Sequence, residues 1–449
     1  MTAPSRDLRA LGVASAGACV AALSTSVVAV AAPVVAADLR VSVPGVSVVL
    51  SAYLLVVSCL LPLAGRLGDT LGKKRVYVAG LTLFALGSAA CALAPTLGAL
   101  VAARALQATG AACTMAVGPA IVTGAFPPAE RARALGAQLT ATYLGLTAGP
   151  TVGGLVAGAF GWRAIFVVVA VAGVSVAALA FVTLPRVSPA AGARRTALDL
   201  GGALLFALSL GALLGAMRVG PREGWASPRA LAGIATAVVA LALFARHEAR
   251  HEAPLIPPSL VRSRPLALGV LGALLLYAVL FISAFLLPFF LQRAHGMSPG
   301  RAGLLMTAQP AAMAVTAPLS GVIADRRGAR VPIVVGMVVL AAGLALLAWS
   351  ASPPLVEARV VVALAVMGVG AGLYVAPNNA VIMGAAPRER QGMAAAIAAT
   401  ARNVGMTLGI AIAATVEAPL GFRGALALAA GVACVGALLG GVGRGARVP

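Results

Sequence analysis

Long apolar runs, each about the length of one bilayer crossing, alternate along this chain with short polar stretches rich in arginine and glycine. A helix needs roughly 20 apolar residues to cross the hydrocarbon core, and reading each run in that way predicts fourteen transmembrane helices. They cover Leu11–Pro33, Val46–Ala64, Val76–Ala94, Leu97–Ile121, Ala134–Gly158, Ala164–Leu184, Leu198–Met217, Ala230–Ala245, Leu266–Leu291, Gly303–Ile323, Val331–Ser350, Val360–Asn379, Met393–Val416 and Gly424–Val442. Arg6 and Arg9 ahead of the first run imitate a secretory signal. That run is longer than a signal core, so a retained first helix is expected.

The polar stretches orient the spans. Of the 33 Lys and Arg residues, 22 fall on the side that holds both termini, 9 on the opposite side and 2, Arg104 and Arg402, inside spans. The positive-inside rule then places both termini in the cytoplasm.

One polar stretch, Gly65-Arg66-Leu67-Gly68-Asp69-Thr70-Leu71-Gly72-Lys73-Lys74-Arg75, is expected to be a short interfacial loop. Gly72 suits a turn, Asp69 lies one helical turn before Lys73 and offsets part of its charge, and the basic end suits anionic headgroups. The stretch also recurs. Pro62-Leu63-Ala64-Gly65, Asp69 and Gly72 return 256 residues later as Pro318-Leu319-Ser320-Gly321, Asp325 and Gly328, followed by Arg330. Pro128-Ala129-Glu130-Arg131 resembles Pro387-Arg388-Glu389-Arg390, and Gly145, Thr147 and Gly149 answer to Gly405, Thr407 and Gly409 at a spacing of 260. Such recurrence indicates a duplicated membrane unit. Residues 1–185 form an N-terminal six-helix half, 186–265 a linker carrying two inserted helices, and 266–449 a C-terminal six-helix half.

Composition narrows the function. The chain is 61% hydrophobic and 10% charged, with a mean hydropathy of +1.02, more apolar surface than a soluble core of this length could bury. A net charge of +21 would suggest nucleic acid in a soluble protein. Here the basic residues lie between apolar runs, which excludes that partner. Cys19, Cys59, Cys91, Cys113 and Cys434 all sit in apolar runs with no CxxC and no metal-ligand spacing, so no metal and no cofactor is expected. GxxxxGK[ST] is absent, as is any nucleophile–base pair in the spans, which argues against direct use of ATP and against an enzyme. Lysine occurs only at Lys73 and Lys74 amid heavy Ala, Gly, Val and Arg use, a composition typical of a GC-rich bacterial genome.

With these residues in view, the chain resembles the major facilitator superfamily, and within it the fourteen-helix drug/proton antiporters. Gly65–Arg75 is similar to the family's loop between helices 2 and 3. Arg104-Ala105-Leu106-Gln107 with Gly110 and Ala111 resembles the helix-4 motif with its membrane-embedded arginine. Gly145, Gly149-Pro150 and Gly153-Gly154 resemble the helix-5 antiporter motif, and Gly161-Trp162-Arg163-Ala164-Ile165-Phe166 follows it as in the subfamily. There are departures: Ser24 stands where the helix-1 signature has aspartate, Ala29 where it has asparagine, and Val48 where the group has tryptophan. The resemblance implies an all-α membrane fold, alternating access and proton antiport. It implies a gate in which Asp69 meets the start of helix 13 near Gln391-Gly392, and Asp325 the start of helix 5 near Arg133-Ala134, where the helix dipole favours negative charge. Gly65, Gly72, Lys73, Arg75, Gly321 and Gly328 belong to that gate. The alternative is an ordinary solvated interfacial carboxylate.

Gly145, Gly149 and Gly153 recur every four residues and share one helix face, beside Pro150 and Gly154. Small-residue helix packing explains such a face in any membrane protein; the functional reading adds a close contact between the halves that seals a cavity. Arg104 and Arg402 are costly in a membrane and are expected to border a substrate cavity, with Ser24, Ser26, Gln107, Tyr143, Gln309, Asn378, Asn379 and Asn403 as further polar candidates. The alternative is a structural arginine bonded to Gln107 or Asn403. All twelve acids lie in loops or at span ends, so Asp38, Glu357 and Glu417 are the outer-side candidates for proton coupling. Neutral or anionic cargo is favoured over organic cations. The expectation is a monomeric exporter of small amphipathic molecules in the bacterial plasma membrane; an uptake carrier, an uncoupled facilitator and a non-transporting sensor are the alternatives.

Overall fold

The computed structural model describes residues 7–127, 130–185, 199–251, 254, 260, 262–352, 355–387 and 391–442, and among them there are helices and turns but no strand. Among the described residues, thirteen helices are long and apolar enough to cross a membrane. They are α1 (Leu8–Asp38), α2 (Val43–Leu71), α3 (Lys73–Ala92), α4 (Leu97–Ala125), α5 (Arg131–Phe160), α6 (Trp162–Thr183), α7 (Leu200–Glu223), α8 (Pro228–Glu248), α9 (Arg264–Phe289), α10, α11 (Arg330–Ser350), α12 (Glu357–Gly384) and α13 (Gln391–Val442). Helix α10 has two segments, Pro299–Met306 and Ala308–Arg327, meeting at Thr307, and α9 ends in a π-helical turn, Phe290–Ala294. Their apolar side chains face outward as well as inward: Leu86, Val171, Val182 and Leu438 are all exposed, as helices surrounded by lipid would have them.

The sequence predicts fourteen helices where the described residues hold thirteen. The last two predicted spans lie in α13, 52 residues long, whose one non-helical residue is Gly421 (φ 65°, ψ −178°). Gly161, 260 residues earlier, occupies the same left-handed region (φ 81°, ψ 166°) alone between α5 and α6. One positive-φ glycine therefore breaks each helix pair. The flanking aromatics also correspond: Trp162 Nε1 donates to Asp38 at the end of α1 (2.9 Å), and Phe422 stacks on Phe290 at the end of α9 (centroids 4.2 Å).

The chain divides into two compact units, Met1–Ala203 and Leu204–Pro449. In the first, α1 packs on α5, α2 on α4, and α3 on both α4 and α6. In the second, α9 packs on α13, α10 on α12, and α11 on both α12 and α13. The pairing scheme is the same, as duplication predicts. Glycine notches repeat with it. A Cβ at Gly87 or Gly110 would collide with α4 or α3 backbone; at Gly343 it would lie 2.7 Å from Met367 N, and at Gly370 2.7 Å from Gly336 O. Small buried clusters match as well, Val122, Phe126 and Ala134 in one unit answering to Ile382, Ala386 and Ala394 in the other.

Helices α7 and α8, the two without counterparts, are the least buried of the thirteen. Ser209 Oγ donates to Ala237 O between them (2.9 Å), and Thr415 Oγ1 on α13 donates to Met217 O on α7 (3.1 Å). Residues 186–198 and most of 252–261, all within the expected linker, lie outside the described residues, as do Pro128-Ala129 and Arg388-Glu389-Arg390 of the second repeat.

Candidate polar network in the first helical unit

The expected loop Gly65–Arg75 is not a loop. Helix α2 continues through Leu71 and α3 begins at Lys73, leaving Gly72 (φ 95°, ψ 132°) as the only residue between them. The second copy behaves alike, α10 running to Arg327 and breaking at Gly328 (φ 83°). Gly65 and Gly321 are helical positions with no neighbour that a Cβ would meet. The break also separates Asp69 from Lys73, so the expected pairing along one helix is not made. Lys73 Nζ instead donates to Ala120 O on α4 (3.1 Å), Lys74 Nζ donates to Leu184 O at the end of α6, and Arg75 is exposed. Lys74 thus satisfies the carbonyl that ends α6. Asp69 itself is exposed; the side chain of Asp325 lies outside the described residues.

The helix-5 glycine face packs within its own unit. A Cβ at Gly145 would strike the Cys19 carbonyl, one at Gly149 the Ser26 hydroxyl, and one at Gly153 would lie 2.7 Å from Val27 O, all on α1. Pro150 and Gly154 are buried in the same stretch. Within this unit it is α1 that lies against the glycine face. Ser26 is part of that packing, its hydroxyl bonded to Ala22 O and Leu23 O (3.3 Å each). Gly405 and Gly409 repeat the arrangement against the Leu274 and Ala278 carbonyls of α9.

A buried polar network lies where α1, α3 and α4 meet. Arg104 sits seven residues into α4, about 10 Å along its axis, and is 1% exposed. Its Nη1 donates to Gln107 Oε1 (2.6 Å) and to Ser24 Oγ (3.4 Å). Gln107 Nε2 donates to Ser24 Oγ (3.1 Å) and Ser88 Oγ (2.6 Å), and Ser88 donates onward to Phe84 O (2.7 Å). The guanidinium lies over the Tyr53 ring of α2 at 4.1 Å and near Phe166 at 5.9 Å. Arg104 Nε has no hydrogen-bond partner among the described residues, and none of the described carboxylates forms an ion pair with this arginine. Sequence reading finds Arg104, Gln107 and Ser24; it misses Ser88 and Tyr53, whose side chains come from other helices.

The second unit carries a different polar set. Arg402 is half-buried with its guanidinium 6.0 Å from the Tyr277 ring centroid. Asn378 Nδ2 donates to Gly269 O (2.9 Å), whereas buried Asn403 leaves Nδ2 unpartnered among the described residues. Tyr143, Gln309 and Asn379 are partly exposed. Of the three carboxylates expected as coupling candidates, Asp38 is held by Arg163 Nη1 (2.7 Å) as well as Trp162. Glu357 takes a two-point contact from Arg301, Nη2 at 2.8 Å and Nε at 3.2 Å. Glu417 is half-buried with no hydrogen bond or ion pair among the described residues.

The duplication separates what the fold requires from what it does not. The matched contacts of Gly145 with Cys19 and Gly405 with Leu274 set α1 255 residues before α9. With the spacings of 256 for α3 and 260 for α4, Ser24, Ser88, Arg104 and Gln107 fall on Val279, Leu344, Leu364 and Met367. All four counterparts are apolar and at most 1% exposed. The same helix packing is thus built with an aliphatic core in one unit and a charged network in the other.

The sequence model of the Major Facilitator Superfamily matches residues 14–281 and, in a second match, 269–447. The multidrug resistance protein Stp of Mycobacterium tuberculosis (strain CDC 1551 / Oshkosh) is 37% identical over 397 residues, covering 88% of this chain and 73% of Stp. The riboflavin transporter RibZ of Clostridioides difficile is 33% identical over 398 residues, covering 88% of this chain and 85% of RibZ. A crystal structure of a POT family transporter in complex with 5-aminolevulinic acid superposes with a TM-score of 0.72 at 12% identity, covering 97% of each chain. The paired helical units, the glycine notches and the embedded arginine are thus those of a multi-pass membrane transporter, and the chain belongs to the Major Facilitator Superfamily, with drug-efflux proteins among its relatives.

Proposed function

We propose that the protein exports small amphipathic molecules, neutral or anionic, from the bacterial cytoplasm by alternating access. The observation that carries this reading is the Arg104 network at positions where the duplicate half has Val279, Leu344, Leu364 and Met367. A buried charge is expensive, and replacing one by well-packed apolar residues is often neutral or stabilising. Folding alone gives no reason to keep it, whereas recognition of polar cargo does. The acids lie in loops or at helix ends, which weighs against organic cations. In this reading the chain crosses the membrane fourteen times, α13 crossing twice about Gly421, because 52 residues span about 78 Å as a helix, well over one bilayer. Both termini are cytoplasmic, the exporter works as a monomer, and protons drive it. Residues 1–185, 186–265 and 266–449 are its two halves and the linker with the inserted helices α7 and α8. Asp69 and Asp325 act in its cytoplasmic gate.

A susceptibility screen with drugs and metabolites in an efflux-deficient bacterium tests this. Wild type should raise tolerance to a set of neutral or anionic compounds, and Asp69→Asn at equal protein level should not. Protection against organic cations alone would overturn the cargo assignment. The RibZ relative, named for riboflavin, favours a second reading in which the cargo is a metabolite. Labelled flux in liposomes distinguishes the two and gives the direction.

A further inference from the structure

We infer that Arg104 is the docking point for a single negative charge, either a carboxylate on the transported molecule or a free monovalent anion. The inference deepens the export reading and takes only its ligand class from it. Three observations carry it. First, the guanidinium is 1% exposed in a helix of membrane-crossing length, and the groups that hold it, Gln107, Ser24 and the Tyr53 ring, are all neutral. A charge so placed, away from water, calls for an opposite charge in its working cycle. Second, Nε is a buried donor without an acceptor among the described residues, and an oxygen or halide there would satisfy it. Third, the duplicate unit shows that the surrounding packing stands without any polar group at these four positions.

The parts have distinct tasks. Arg104 supplies charge and the open donor. Gln107 holds it through a 2.6 Å bond and is itself held by Ser88 at 2.6 Å and Ser24 at 3.1 Å, which fixes the fork. Tyr53, on α2, covers the guanidinium at 4.1 Å and supplies partial compensation through its ring when no anion is bound. An anion reaches Arg104 when α2 moves off it, so binding favours the conformation in which Tyr53 is withdrawn.

The test is thermal unfolding of the purified full-length protein in lipid nanodiscs, kept in sodium HEPES and titrated with sodium chloride or sodium benzoate. Three variants run beside wild type: Arg104→Gln, Arg104→Lys, and a fourfold change of Ser24→Val, Ser88→Leu, Arg104→Leu and Gln107→Met that copies the second unit. The fourfold variant should fold, since it borrows side chains the protein already packs at these positions, and it reports the non-specific effect of added salt. Wild type should show a saturable rise in Tm beyond that baseline. Arg104→Gln should weaken the half-maximal concentration by about tenfold or more, the value of a charge-assisted hydrogen bond, and Arg104→Lys should keep a weakened response. A response to benzoate alone identifies a cargo carboxylate, and one to chloride alone a free anion. No response beyond the fourfold variant, or an equal response in Arg104→Gln, overturns the inference. Cargo flux in vesicles, measured on the same proteins, keeps the two readings apart. Flux without an anion response removes the docking point and leaves export standing, and an anion response without flux does the reverse.

Discussion

Replacing Gly153 by alanine tests whether the α1–α5 contact is set by backbone proximity. The added Cβ would lie 2.6 Å from Val27 Cγ2, 2.7 Å from Val27 O and 3.0 Å from Val27 Cα. The Val27 methyl can rotate away, but the carbonyl oxygen and Cα cannot. Relief to ordinary van der Waals distance needs a separation of about 0.7 Å between two helices packed along much of their length. Overpacking of this kind costs about 1–3 kcal/mol, partly offset by the roughly 1 kcal/mol that alanine gains over glycine inside a helix. The net expectation is a loss of up to about 2 kcal/mol. Gly136 lies in the same helix, where an added Cβ would meet nothing within 4 Å, so Gly136→Ala should gain up to about 1 kcal/mol from propensity alone. Denaturation of the purified variants, followed by helical circular dichroism in one detergent, should move the two midpoints in opposite directions. Movement in the same direction would refute the steric account of the glycine face.

Asp69→Asn should cut export far more than expression, since the carboxylate is exposed at the end of α2 and outside the packed core; unchanged export in vesicles at equal protein would remove Asp69 from the gate. Arg402→Ala should weaken transport of anionic cargo more than neutral cargo, because charge near mid-membrane is little screened, and equal loss of both would make Arg402 a structural residue. Glu417→Gln should abolish the response of export to an imposed pH gradient. Asp38→Asn and Glu357→Gln should retain that response and lower stability by at most about 1 kcal/mol, the usual value of an exposed ion pair. A pH-gradient response that survives all three replacements together would exclude an outer carboxylate as the coupling group.

The spans and the duplication are legible in the sequence because lipid imposes a strong, length-specific composition and because duplicated turns retain glycine and aspartate. The misreadings have local causes. Gly65–Arg75 has the charge and glycine content of a loop, yet one left-handed residue, Gly72, turns the chain, so the remaining polar residues stay helical. Gly421 does the same, which is why two predicted spans meet without a gap. Spacing shows that Gly145, Gly149 and Gly153 share a face, but it cannot tell which helix the face meets; α1 was available within the same half. Arg104 and Gln107 are three residues apart on one helix, a pair that spacing reveals. Ser88 is a small residue in an apolar run, and only tertiary contact joins it to them. One signal in the sequence could have found it. At the repeat spacings, Ser88, Arg104 and Gln107 oppose Leu344, Leu364 and Met367, and polar positions with apolar counterparts are those that the shared fold does not need.

The second unit has a polar set of its own. Tyr277, Asn378, Arg402 and Asn403 correspond to Ala22, Gly118, Thr142 and Tyr143, so the second unit places its arginine on α13 where the first has a threonine on α5. Neither arginine has an arginine at its counterpart, although the helices, notches and breaks around them match. Divergence confined to packing would exchange apolar groups of similar volume and leave both units neutral inside. Instead each unit has acquired one interior cation at a different helix, which two structural roles inherited from a common ancestor would not produce. Arg104 is buried among neutral partners within the α1–α3–α4 junction, whereas Arg402 is half-buried beside Tyr277. A group sealed from water fits a docking point that opens once in the cycle, and a partly accessible one fits attraction of cargo before it is enclosed. Arg104→Gln should therefore raise the concentration needed to bind an anion, while Arg402→Ala should slow its association, as rapid-mixing binding kinetics would read.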